Sequence, residues 1–164
     1  MTSAEMNKEL KRLQYERGQI LEQERQASSF VAATTEDLDE VRPEYDLPAV
    51  NEALAKTEKE IRGIKHRLNV FNSTYLIEDL GMTIDEVLVF LPQQSERVTK
   101  LAEFAKRAPR LRWSDRYGSR GNLIEYEYAN YSRADAMRLY EEANSALVRA
   151  QIALDRVNTT VDIP

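Results

Sequence analysis

Between residues 47 and 75 the apolar positions recur in alternating steps of four and three. They are Val50, Leu54, Ile61, Ile64, Leu68, Phe71 and Tyr75, and only Thr57 interrupts the series. A period of about 3.5 residues held this long predicts a helix that buries a narrow seam against another helix. Lys56, Glu58, Lys59, Glu60 and Arg62 are left to water. A matching seam comes earlier in the chain: Met6, Leu10, Leu13, Ile20, Ala27 and Val31, with Arg17 and Glu24 on its polar steps. It predicts a first helix over 3–33, roughly 45 Å long at ~1.5 Å per residue. The segment 34–46 breaks both periods with Glu36, Asp37, Asp39, Glu40 and Pro43 and reads as a solvated connector. Asp46 as N-cap and Pro48 in the first turn start the second helix, over 47–72, and the short connection makes the two helices antiparallel neighbours.

Asn72, Ser73 and Thr74 compete with the helix for backbone hydrogen bonds and end it. After Gly81, Thr83 and Glu86 have capping-box spacing ahead of the apolar run 87–91 and predict a third helix over 83–107, continued by Val98, Leu101 and Phe104. Pro92 within it removes a backbone donor, so a kink or break is expected there. From residue 108 the period becomes two. Leu111 and Trp113 alternate with Arg110 and Arg112, and Ile124, Tyr126 and Tyr128 alternate with Glu125 and Glu127. This predicts a β-hairpin over 109–130 with a loop longer than two residues. If the aromatic residues share one face, the arginines and glutamates share the other, where each cross-strand pair contributes up to about 1 kcal/mol. A lone hairpin is marginal in water, so its Trp and Tyr face is expected to lie on the helices or on another subunit. Ser132 to Asp135 then resembles a helix start, and Tyr140, Ala143, Leu147, Ala150, Leu154 and Val157 predict a last helix over 133–157.

The expected fold is therefore mainly α: one domain over 1–164, an antiparallel, coiled-coil-like bundle of about four long helices with one hairpin before the last. Five Gly and five Pro, few for a loop-rich or all-β chain, agree with this. No cysteine is present, which removes disulfides and thiolate chemistry and suits a reducing cytosol. The longest apolar run, 87–91, is far shorter than the ~20 residues a membrane helix needs, and no basic leader with an apolar core opens the sequence. A cytoplasmic protein is expected. The net charge of −5 disfavours nucleic acid as a partner for the molecule as a whole.

Candidate chemistry is sparse. His66, the one histidine, stands between Lys65 and Arg67 with no carboxylate or second histidine at ligand spacing, and reads as a surface residue. Gly118 and Gly121 lack the strand-to-helix context and the Lys-Ser/Thr pair of a phosphate loop. With no nucleophile, metal cluster or acid–base pair in view, the expectation is a protein that is not an enzyme and has no cofactor. The remaining constellation is the basic run Lys106, Arg107, Arg110, Arg112, Arg116 and Arg120, interleaved with Trp113 and Tyr117. Cations among aromatic rings are what single-stranded nucleic acid or a phosphorylated ligand requires. The competing expectation is that the arginines pair with Glu125 and Glu127 and with acidic helix faces. The candidate ligand or interface residues are Arg110, Arg112, Trp113, Arg116, Tyr117, Arg120, Tyr126 and Tyr128. The partner expected first is a second copy of the chain, in a dimer or larger homo-oligomer.

The order of two antiparallel helices, then Asn69, Asn72, Ser73 and Thr74, then Thr83 with Glu86 and Leu88, then Arg116 and Tyr117, and finally Asn158, Thr159 and Thr160, resembles the septicolysin-like family of small bacterial proteins. The chain departs from that pattern in lacking a Trp beside Asn158, in carrying Pro92 and in a longer segment after Tyr117. The resemblance implies an architecture, and through the family name a membrane-active, cytolysin-like alternative. It implies no catalytic residues.

Overall fold

In a computed structural model of the chain, residues 1–113 and 124–164 are described. They form mainly α-helix, in two compact units: Met1–Tyr75 with Arg156–Pro164, and Leu76–Asp155.

The first unit is built on α1, Ser3–Ala27, and α3, Leu47–Thr74, with one short turn, α2, Leu38–Val41, between them. Thr2 and Glu5 cap α1 reciprocally: Glu5 N–H donates to Thr2 Oγ1 at 3.3 Å and Thr2 N–H to Glu5 Oε2 at 2.9 Å. The two predicted seams meet. Met6, Leu13, Leu68 and Phe71 are buried, while Leu10, Ile20, Leu54, Ile61 and Ile64 are half-buried, as expected where a seam residue is covered by one facing helix and open at its flank. Thr57 does not interrupt the seam. It is buried, and its hydroxyl is satisfied within its own helix by the Ala53 carbonyl at 3.1 Å. Arg17 and Glu24, the polar steps on α1, reach outward to Glu58 and Tyr45, each at 2.8 Å.

The expected extension of the first helix to residue 33 is incorrect: α1 stops at Ala27, and Val31 is 98% exposed. The bond from Tyr45 to Glu24 gives the reason. Tyr45 stands just before α3 and Glu24 just before the end of α1, so the two helices end together and a longer α1 would have no partner to pack on. The connector is not wholly irregular either, since Asp37 accepts from Asp39 N–H at 2.9 Å and starts α2. The unit is closed by the last residues, where Thr2 bridges Asp162, Ile163 N–H donates to Met1 O at 2.8 Å, and Ile163 is buried. Arg67 donates to the Pro164 and Ile163 carbonyls.

The second unit opens on a small hairpin that the sequence pattern does not reveal. Strand β1, Leu76–Ile77, pairs with β2, Met82–Thr83, in the register Leu76↔Thr83 and Ile77↔Met82. Its turn needs Gly81, whose φ of +64° is left-handed, with its N–H on the Ile77 carbonyl at 2.9 Å. The expected cap of the next helix is present in the bond from Thr83 N–H to Glu86 Oε2 at 2.7 Å. Helix α4, Ile84–Lys106, passes Pro92 unbroken, contrary to a break at that position. Pro92 is exposed, and so is Leu88, whose carbonyl loses its helical donor, so the missing bond falls on the solvent side of the helix.

The buried positions of α4 are Ile84, Val87, Gln94, Leu101 and Ala105. On α5, Arg133–Thr160, Ala136, Ala143 and Ala150 are buried seven residues apart. Gln94 Nε2 donates to the Ala143 carbonyl at 3.1 Å, the one polar step of this seam. The free carbonyls at the C-terminus of α4 are taken by side chains just before and in α5, with Tyr131 OH on Phe104 O at 2.8 Å and Arg133 Nε on Ala105 O at 2.9 Å. Strands β3, Arg110–Arg112, and β4, Tyr126–Tyr128, form the predicted hairpin between α4 and α5.

Candidate functional site

The hairpin departs from expectation in its register. Arg110 faces Tyr128, Leu111 faces Glu127, and Arg112 faces Tyr126; the bond from Trp113 N–H to Glu125 O at 2.9 Å continues the ladder. Residues directly opposite in an antiparallel pair share a face. One face therefore carries Arg110, Arg112, Tyr126 and Tyr128, and the other carries Leu111, Glu127, Trp113 and Glu125. The expectation that Arg110 and Arg112 pair with Glu125 and Glu127 is overturned. Among the described residues no ion pair links them, because the glutamates lie on the opposite face. Alternation permits two arrangements related by a one-residue slip, which exchanges every cross-strand neighbour.

Arg110 instead meets a ring. The Arg110 guanidinium lies 5.1 Å from the Tyr126 ring centroid, and the Tyr126 and Tyr128 centroids are 6.3 Å apart. The pattern continues onto α4, where Arg107 lies 5.7 Å from the Phe104 ring and that ring stacks on Tyr131 at 4.9 Å. Tyr131 was not singled out in the sequence, although it continues the aromatic series of Tyr126 and Tyr128; Phe104 was read there as part of the apolar face of its helix and Arg107 as part of the basic run. Both faces of the hairpin are open: Leu111 is 52% exposed, Trp113 54% and Tyr128 63%. The site thus brings together Arg110, Arg112, Tyr126 and Tyr128, and puts Trp113 on the reverse face. Arg116, Tyr117 and Arg120 lie outside the described residues.

Among the described residues there are also clefts away from the hairpin. In the first unit, exposed His66 lines one of about 200 Å³ with Arg67, Val70, Phe71, Thr74, Ile163 and Pro164. In the second, Gln94, Arg97, Lys100, Leu101, Leu139, Glu142 and Ala143 line a shallow one of about 440 Å³. Among the described residues, no group of three or more His, Asp or Glu is placed to hold a metal, and no helix is long and apolar enough to cross a membrane.

No protein-family model matches the chain, and no curated protein does. Among solved structures it is similar to a conserved protein of unknown function from Corynebacterium diphtheriae. The two are 16% identical over 100% of this chain and 99% of the other, with a TM-score of 0.57, a likeness of fold.

Proposed function

We propose that the chain is a non-enzymatic interaction protein that associates with copies of itself through the hairpin. The observation that carries this reading is the exposure of both hairpin faces, with Leu111, Trp113, Ile124 and Tyr128 all open to water. A two-stranded ribbon gains too little on its own to hold its shape, and Trp, Tyr and Arg are the residues that most often anchor interfaces. The resemblance to septicolysin-like proteins belongs to the same proposal and adds architecture alone. A chain without cysteine is compatible with a cytoplasmic setting for such an assembly. Light scattering coupled to size exclusion tests the reading. The expected mass is that of a dimer or larger at tens of micromolar, and the mass of a single chain sinks it. Trp113→Ala with Tyr126→Ala is expected to lower the mass; if it does not, the interface lies on the helices.

A second reading has its own support in the Arg110, Arg112, Tyr126 and Tyr128 face, where cations on one strand face rings on the other and no carboxylate intervenes. Such a face suits a phosphorylated ligand or single-stranded nucleic acid. Micromolar binding of a fluorescent single strand at about 50 mM salt, falling steeply by about 200 mM, would favour it.

A further inference from the structure

The chain carries two exposed surfaces of opposite charge, and each lacks what the other supplies. The first is the hairpin face just described. With Lys106 and Arg107 at its base, its described residues bring four cations against Glu125 and Glu127, and both glutamates lie on or beside the reverse strand face. The second is the connector 34–46, which holds six carboxylates, Glu36, Asp37, Asp39, Glu40, Glu44 and Asp46, against one cation, Arg42. All six are exposed. Among the described residues Glu40 and Glu44 have no ion pair, and Asp39 has only Arg42, at 3.8 Å.

Charge is not the only complement. A four-residue helix does not stand by propensity alone, yet α2 forms and presents Leu38 and Val41, one turn apart and 51% and 38% exposed. Across from Arg110 and Arg112, on the neighbouring strand, the hairpin offers the apolar bodies of Tyr128 and Tyr126. Two aliphatic side chains flanked by carboxylates would meet two rings flanked by guanidiniums, which bind carboxylates bidentately.

We infer that the Arg110, Arg112, Tyr126 and Tyr128 face of one copy docks on the acidic α2 turn and its flanks, residues 34–46, of a second copy. The inference rests on the self-association proposed above and names the surface that receives the hairpin. If the exchange is mutual, two identical contacts close a two-fold dimer, and the charge of each surface is neutralised by its partner.

The test is sedimentation equilibrium on three proteins and one mixture. The hairpin variant is Arg110→Glu with Arg112→Glu. The connector variant is Asp39→Lys with Glu40→Lys and Glu44→Lys, and it leaves Asp37 in place because that side chain starts α2. The wild-type chain is expected to dimerise and to weaken as salt rises from about 50 to about 500 mM. Each variant alone brings like charges together at both contacts and is expected to dimerise at least about tenfold more weakly. An equimolar mixture of the two is expected to recover, because reversed hairpin meets reversed connector and the remaining pair is native; this also shows that both variants are folded. A wild-type monomer would remove the inference and the proposed function together. A wild-type dimer that neither variant weakens, or weakened variants that do not recover when mixed, would overturn the inference and leave self-association standing. Oligothymidine binding that Arg110→Glu with Arg112→Glu abolishes, with no recovery in the mixture, would reassign the face to nucleic acid.

Discussion

Thr57 is a buried polar residue that costs its helix pair little, because the hydroxyl turns back to Ala53 O and leaves nothing unpaired. That carbonyl already has the helical N–H of Thr57, so removing the hydroxyl orphans neither group. Thr57→Val keeps the branched shape and is expected to be neutral or to stabilise by up to about 1 kcal/mol, whereas Leu68→Ala, a truncation in the same seam, should cost about 2–4 kcal/mol. Denaturant midpoints of the two decide it, and a large loss in the valine variant would mean that the hydroxyl holds more than its own turn. Tyr45 supplies a test by titration. The hydrogen bond it donates to Glu24 raises its phenol above the ordinary tyrosine range, with partial burial and the negative charge of Glu24 and Asp46 adding to the effect. A folded value above the unfolded one means that the bond contributes fully below the unfolded value and is lost as pH rises through the folded one. Following tyrosinate absorbance, Glu24→Gln should move this one phenol down towards about pH 10, the unperturbed value. No movement would place the cause elsewhere.

The long helices were legible because each writes its period many times over, and the seams of α1 and α3 meet as that period requires. Other features were hidden for physical reasons. The end of α1 depends on where α3 begins, which is a fact about the partner and not about residues 28–33. Strands of two residues, as in β1 and β2, are too short to show alternation, so only Gly81 marked their turn. The faces of β3 and β4 were ambiguous because a one-residue slip satisfies the same alternation with different neighbours, so the pairing of Arg110 and Arg112 could not be read from the alternation. Pro92 was judged by the bond it removes, but it lies on the exposed side of α4, where a missing backbone bond faces solvent and costs less than in a core. What it still costs can be measured: Pro92→Ala restores the donor to Leu88 and is expected to stabilise the second unit by about 1–3 kcal/mol. An unchanged midpoint would show that α4 is already relaxed around the ring.

For the whole molecule the decisive matter is whether the hairpin belongs to the fold or only rides on it. Its faces are exposed, and the groups that finish α4 come from outside it: Tyr131 and Arg133 take the Phe104 and Ala105 carbonyls. Its two ends are already joined, since Ala129 N–H donates to Pro109 O at 3.0 Å. A chain in which residues 110–128 are replaced by a short glycine-containing turn therefore loses neither a cap nor a buried side chain among the described residues. Such a deletion is expected to keep the far-UV circular dichroism of the helices and to shift the thermal midpoint by no more than a few degrees, because little apolar surface is uncovered. Association should disappear in the same protein, because the aromatic and arginine residues assigned to the contact have been removed. Loss of helix signal would show that the hairpin is a structural part of the second unit and that its exposed rings are incidental. A folded deletion variant that still has the mass of the wild-type oligomer would instead move the interface to the helices, leaving the hairpin face available for a phosphorylated or single-stranded ligand.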